Sequence, residues 1–133
     1  MGRGPCRRHS ALGDSLASLP RFQSEIGDVA SRRRVARRGV HCVADGVDSG
    51  DPDALADVGP AKLEGTRAAM HAVERALGLT GNHGLSRHNP LERHHRDVLC
   101  SRVHVPHDDQ ITGAVGRALL DQDPTSLVRK AHA

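Results

Sequence analysis

Phe22 is the only phenylalanine in the chain, and there is no tryptophan or tyrosine. Aromatic side chains supply much of the buried area in ordinary cores. Without them, an interior has to be assembled from Leu, Val, Ala and a few Ile and Met. Small aliphatic side chains suit helices that approach one another closely, and not a β-sandwich. Apolar residues make up 37% of the chain, against the usual level of about 45–50%, so this core is thin. A length of 133 residues amounts to one domain. The expectation is marginal stability alone, or a partner that completes the core.

The apolar residues recur at helical spacing. Phe22, Ile26, Val29, Ala36, Val40 and Val43 follow steps of four and three, with Arg33 interrupting, and Pro20 suits a first turn. The spacing predicts a helix over 20–46. "DGVDSGDPDALADVGP" (45–60) is dense in turn formers and reads as a connecting loop; its spacing does not match an EF-hand. Pro60 then opens a second helix carrying Leu63, Met70, Val73 and Leu77 with Ala69 and Ala76, and Gly78 stands as its C-terminal cap. After the loop 78–88, Asn89 caps a third helix from Pro90 to about His104, with Glu92 at the reach-back position of a capping box. Leu91, Val98, Leu99 and Val103 are its inward residues. Asp108 caps a fourth helix bearing Ile111, Ala114, Val115, Ala118 and Leu119, which Pro124 ends. No segment alternates at period two. The fold expected is all-α, an antiparallel four-helix bundle over 20–122, with a loose arm or partial helix over 1–19 and a tail over 123–133.

Net charge is +3 but uneven: residues 1–38 balance at +6, from nine Arg against Asp14, Glu25 and Asp28, and the remainder at −3. "SRRRVARR" is the densest basic run. It reads as a solvated helix face; as a nucleic-acid surface it lacks the interleaved aromatics that stack on bases. Cys6, Cys42 and Cys100 are odd in number and far apart, which is no disulfide framework. No apolar h-region follows the basic N-terminus and no run approaches a membrane span, so a reduced cytoplasmic protein is expected, without a membrane partner.

"NPLERHHRDVLCSRVHVPHDD" (89–109) concentrates the chemistry, with four of the ten histidines. Cys100 and His104 lie four apart, on one face of a continuing helix, with His107 nearby. A fourth zinc ligand is not evident, and His94 and His95 diverge by about 100°, so no metal is assigned. His104 and His107 beside Asp108 and Asp109 form a loose proton-shuttle arrangement. Asp97 reads as an ion-pair partner.

"NPLERHHRDVLCSRVHVPHDDQITGAVGRALL", preceded by "KLEGTRAAMHAVERALGLTG", resembles the C-terminal helical domain of the acyl-CoA dehydrogenase superfamily, and more narrowly the branch that includes flavin-dependent monooxygenases. "RFQSEIGDVASRRRVAR" is similar to the first helix of that domain. The resemblance runs from about Arg21 to Leu120. It implies a subunit with an N-terminal helical domain, a middle β-domain that binds FAD or FMN, and this bundle, assembled as a dimer of dimers. It also implies that the loop after the second helix touches a neighbouring subunit's flavin, which makes Gly81, Asn82, His83 and Gly84 the cofactor-binding residues. By the same resemblance, His107 lies near the flavin ring and assists proton transfer, with His104 supporting it. The Glu-Gly that the dehydrogenase branch often carries here is absent from "HVPHDD". The chain is expected to be a fragment of such an oxidoreductase or monooxygenase, contributing to oligomerisation and to one wall of the flavin and substrate site. Its partners would be other copies or a flavin-binding domain, and acyl-CoA or another organic substrate. It is expected to retain little flavin and to be inactive alone. The alternatives are a non-catalytic helical oligomerisation module and an Arg-rich nucleic-acid-binding protein.

Overall fold

The structure is a computed structural model that describes residues 15–121. It is all-α, as the spacing predicts. The expected arm over 1–19 falls mostly outside the described residues, and the expected stop at Pro124 and the tail lie wholly outside them. A short 3-10 turn, Leu16–Ser18, leads into α1, Pro20–Ser49. Helix α2 is Ala54–Thr80, α3 is Pro90–Leu99 and α4 is Asp108–Asp121.

Helix α1 continues past the expected end at 46. It stops at Gly50, whose φ of +79° suits glycine and whose N–H reaches the carbonyls of Gly46 and Val47. The acidic run over 45–60 is therefore not a long loop. The turn is only 51–53 with Gly50, fixed by Asp51 N–H to Gly46 O at 3.0 Å and by Asp53 N–H to Asp51 Oδ1 at 3.0 Å. Pro60 does not open α2 but sits inside it. A proline there removes one backbone bond and costs about 3 kcal/mol. Tertiary contacts offset that cost. Ala54 is buried against Gly46, where a Cβ would come within 2.8 Å of Ala54 Cβ, and Ile111 Cγ2 lies 3.2 Å from where a Gly59 Cβ would stand. The two glycines let α1 and α4 approach the segment ahead of Pro60.

Gly78 lies within α2 rather than capping it. The cap is Gly81, φ +57°, which donates to Leu77 O. At the start of α3, Asn89 Oδ1 accepts from Leu91 N–H at 3.0 Å, as expected. The reach-back from Glu92 does not form. Asn89 N–H already donates to Ser86 O at 2.8 Å, and the Glu92 carboxylate is taken by Arg96 at 2.7 Å. Helix α3 is also shorter than expected. It gives way at Cys100 to a 3-10 turn, Cys100–Arg102, so His104 is not helical. Asp108 is the first residue of α4 and not its cap. His107 takes that place: its carbonyl accepts from Ile111 N–H, and its own N–H donates to Gln110 Oε1 at 2.9 Å.

Helix α2 is the centre of the bundle, with α1, α3 and α4 packed on it. Both α3 and α4 run antiparallel to α2. Helix α3 covers its C-terminal half, where Arg102 reaches Glu74, and α4 covers its N-terminal half, where Ile111 meets Gly59. The buried apolar residues among those described are Phe22, Ala54, Leu63 and Ile111. Several expected core positions are exposed instead: Ile26 and Val40 on α1, Leu99 and Val103 after α3, and Val115 and Leu119 on α4. Ala69, Ala114 and Ala118 are exposed as well. Among the described residues, three helices on one central helix leave their outer faces uncovered.

Candidate functional site

Two stretches singled out in the sequence occupy opposite ends of α2, and a groove between α1 and α2 adds a third cluster. The histidine turn lies over the N-terminal half of α2. Lys62 Nζ donates to Pro106 O at 2.9 Å and to His104 O at 3.4 Å, and lies 3.8 Å from the Asp108 carboxylate. Arg67 reaches the other Asp108 oxygen at 3.8 Å. An ammonium group shared by two carbonyls and a carboxylate is a strong local anchor. It fixes a turn that contains a cis Val105–Pro106 bond. The two histidines differ in setting: His104 is exposed, and His107 is half-buried at the head of α4. The anchor holds backbone rather than imidazole, so the rings project from a fixed frame.

The glycine turn lies at the other end. Eighteen residues of α2 separate Lys62 from Thr80, about 27 Å of helix. One chain therefore does not bring His104 and His107 together with Gly81–Gly84. Within the turn the four residues divide. Gly81, Asn82 and His83 are exposed and form a 3-10 turn, with Asn89 Nδ2 bonded to His83 O at 3.1 Å. Gly84 is buried, and a Cβ there would overlap Thr80 Oγ1 and stand 3.1 Å from Leu77 Cδ2 and Leu91 Cδ2. Its missing side chain is used to seat α3 on α2. A Cβ at Gly81 would meet nothing within 4 Å. The outer rim of the turn is thus its accessible part, while Gly84 sets the rim's shape.

The third cluster was not evident in the sequence. An open groove of about 880 Å³ runs between α1 and α2, walled by Val35, Ala36, Val40, Val43, Ala61 and Ala68. At one end His71 Nε2 meets Asp28 Oδ2 at 2.5 Å, and Arg32 Nε donates to Asp28 Oδ1 at 2.9 Å. The hydrogen bond from His71, then that from Arg32, holds the Asp28 carboxyl below its ordinary value of 3.8. Asp28 and His71 are 43 positions apart, so only the packed hairpin reveals the pair. Lys62 likewise lay unmarked in "KLEG", because a lysine on a helix carries no signal of the carbonyls it will meet.

The four-residue spacing of Cys100 and His104 does not put them on one helical face, since the helix has ended. Among the described residues no three His, Cys, Asp or Glu side chains gather at metal-binding distance. Asp97 pairs with Arg93 at 3.4 Å, the role expected of it. No helix among the described residues is long and apolar enough to cross a membrane.

Comparison with known proteins places this geometry. Residues 5–105 match the family model described as acyl-CoA dehydrogenase, C-terminal domain. A Bacillus subtilis protein named as an acyl-CoA dehydrogenase, YdbM, is 29% identical over 104 residues, which are 77% of this chain and 27% of that protein. The cyclohex-1-ene-1-carbonyl-CoA dehydrogenase of Geobacter metallireducens is 30% identical over 110 residues, 82% of this chain and 29% of that protein. The chain thus spans less than a third of either relative. With its all-helical fold and its match over most of its length, the chain belongs to the acyl-CoA dehydrogenase family, within the C-terminal domain of that family.

Proposed function

We propose that the chain serves as the C-terminal bundle of a flavin-dependent, acyl-CoA dehydrogenase-like oxidoreductase, where it helps assemble subunits and supplies one wall of the flavin and substrate site. The observation that carries this reading is the family match over residues 5–105, at whose end Lys62 holds the histidine turn on α2. The flavin, FAD or FMN, would supply the redox chemistry, and the protein position and electrostatics. His107, half-buried at the head of α4, would hold or move a proton at the substrate side, with His104 as its exposed neighbour. Gly81, Asn82 and His83 would meet a second flavin in an assembly, with Gly84 shaping their turn. About 27 Å of helix between the two sets suits contacts to different flavins. The segment 100–109 has no glutamate, and its Asp108 carboxylate faces Lys62 and Arg67, which disfavours α-proton removal by a glutamate of this turn and leaves monooxygenase-type chemistry as the other reading of the site. The substrate would be an acyl-CoA or another organic molecule.

The test is a chimera in which this chain replaces the C-terminal domain of the Bacillus relative. Flavin content and flavin reduction by acyl-CoA are measured, together with reduced-flavin oxygenation of an organic acceptor. Flavin retention is expected, and His107→Ala should lower kcat by about 10²–10⁴-fold, the usual contribution of a proton-transfer group. A flavin-loaded, active chimera indifferent to His107→Ala and His104→Ala would remove both histidines from the chemistry. A second reading, a bundle that assembles subunits without chemistry of its own, is favoured by the exposed α4 residues Leu119 and Leu120. It predicts full activity in that double-histidine variant.

A further inference from the structure

The outward face of α1 carries a charge pattern that nothing among the described residues neutralises. Arg33, Arg34, Arg37 and Arg38 are all exposed, and among the described residues none has a carboxylate within ion-pair distance. Arg32, one residue earlier, does have such a partner, Asp28. The four unpaired arginines line a shallow strip with His41, Cys42 and Asp45. Arg33 with Arg37 and Arg34 with Arg38 are like-charge pairs at i,i+4, which weaken a helix by about 0.2–0.5 kcal/mol each. Accumulating them without a counter-charge among the described residues points to an external one.

The same helix face ends in that counter-charge. At 100° per residue, Arg33, Arg37, Asp48, His41, Arg34, Asp45 and Arg38 fall within an arc of about 140°. Asp45 and Asp48 are exposed, and Asp51 follows just past the helix end. The face is positive over 33–38 and negative over 45–51, with His41 and Cys42 midway. Such a stripe is complementary to itself reversed.

We propose that this face is a contact between two copies of the chain, in which two α1 helices lie antiparallel about a two-fold axis at His41 and Cys42. In that register Arg38 faces Asp45 of the second copy, Arg34 and Arg37 flank its Asp48, and Arg33 approaches its Asp51. Each pairing occurs twice, as an isologous contact requires. Helix axes packed this way lie about 8–10 Å apart, within reach of arginine and aspartate side chains. Exposed ion pairs contribute orientation more than affinity, so the stripe sets how copies meet while apolar surface elsewhere holds them. The inference deepens the assembly part of the proposed function and needs no bound flavin.

Cys42, an exposed free thiol at the edge of the strip, reports on it. In the 133-residue chain with Cys6→Ser and Cys100→Ser, a flexible bismaleimide should join two Cys42 thiols. The yield should fall as salt shortens the screening distance below about 10 Å. Arg38→Glu or Asp45→Arg alone should cut the yield at least tenfold. An equimolar mixture of the two single variants should restore it, because each reversed charge then meets an opposite one. The double variant Arg38→Glu/Asp45→Arg should also restore it. Helix content by circular dichroism confirms that each variant folds. Equal yields in all variants, or no cross-linking in any, would overturn the proposal. So would an unchanged chain that fails to cross-link but is retained on duplex DNA at low salt, because the strip would then face a polyanion. Flavin binding is read separately, so loss of the catalytic reading leaves this result standing, and the reverse.

Discussion

At the scale of single residues, the glycines separate packing from freedom. Gly84 has no room for a Cβ, with Thr80, Leu77 and Leu91 around it. Gly84→Ala should cost about 1–3 kcal/mol, the usual range for overpacking, measured as a shift in urea midpoint. Gly27 lies within helix α1, and a Cβ there would meet nothing within 4 Å. Gly27→Ala should stabilise by about 0.5–1 kcal/mol, because alanine loses less conformational freedom in a helix. Equal effects of the two substitutions would show that α3 does not seat on α2 at Gly84. Lys62 makes a different kind of contact. Lys62→Met keeps the apolar stem and removes the ammonium that holds Pro106 O and His104 O. A loss of about 1–2 kcal/mol is expected for charge-assisted bonds on a partly exposed side chain. Hydrogen exchange should quicken at the amides of His107 and Ile111, which stand at the head of α4. Exchange unchanged in this variant would show that the turn is held by other contacts.

Among the elements, helix starts were more legible in the sequence than helix ends. Asn89–Pro90 and Pro20 announced α3 and α1 because a cap and a first-turn proline act within one or two residues. The acidic stretch misled because its turn formers act only when no tertiary contact overrides them. Ala54 and Ile111, packed on glycines, carry α2 back past Pro60. The Asp28–His71 tie between α1 and α2 was invisible because it spans 43 positions. It yields a pH prediction. The folded-state pKa of Asp28 lies below its ordinary 3.8, first through His71 and then through Arg32. The stability this contributes is fully present above the ordinary value and is lost as pH falls through the lowered one. Asp28→Asn should therefore lower the thermal midpoint at neutral pH, and the gap from the unchanged chain should close in acid. A gap that stayed constant into acid would mean that the carboxylate charge plays no part in holding the hairpin.

For the whole molecule, the near-absence of aromatic residues has the consequence it implied. Among the described residues few side chains become buried, and the outer faces of three helices stay open around α2. What the sequence could not disclose is which apolar residues remain outside, since helical spacing marks a face without saying whether anything covers it. Helix α4 shows this best: Ile111 is buried, while Leu119 is 65% and Leu120 71% exposed on the same helix. Burying two leucines is worth about 1.5–3 kcal/mol each, a large share of the stability of a small domain. Contact between copies is the available route when the chain is alone in solution. Anything that binds the folded form raises its apparent stability by mass action, so the thermal midpoint should climb with chain concentration. Leu119→Glu with Leu120→Glu should abolish that climb and leave the dilute-limit midpoint nearly unchanged, because neither side chain supports the fold from within. Sedimentation should show the matching loss of mass. A midpoint independent of concentration in the unchanged chain would mean that these leucines are covered by another part of a longer protein rather than by a second copy. Helix α4 would then be the face on which that other part sits.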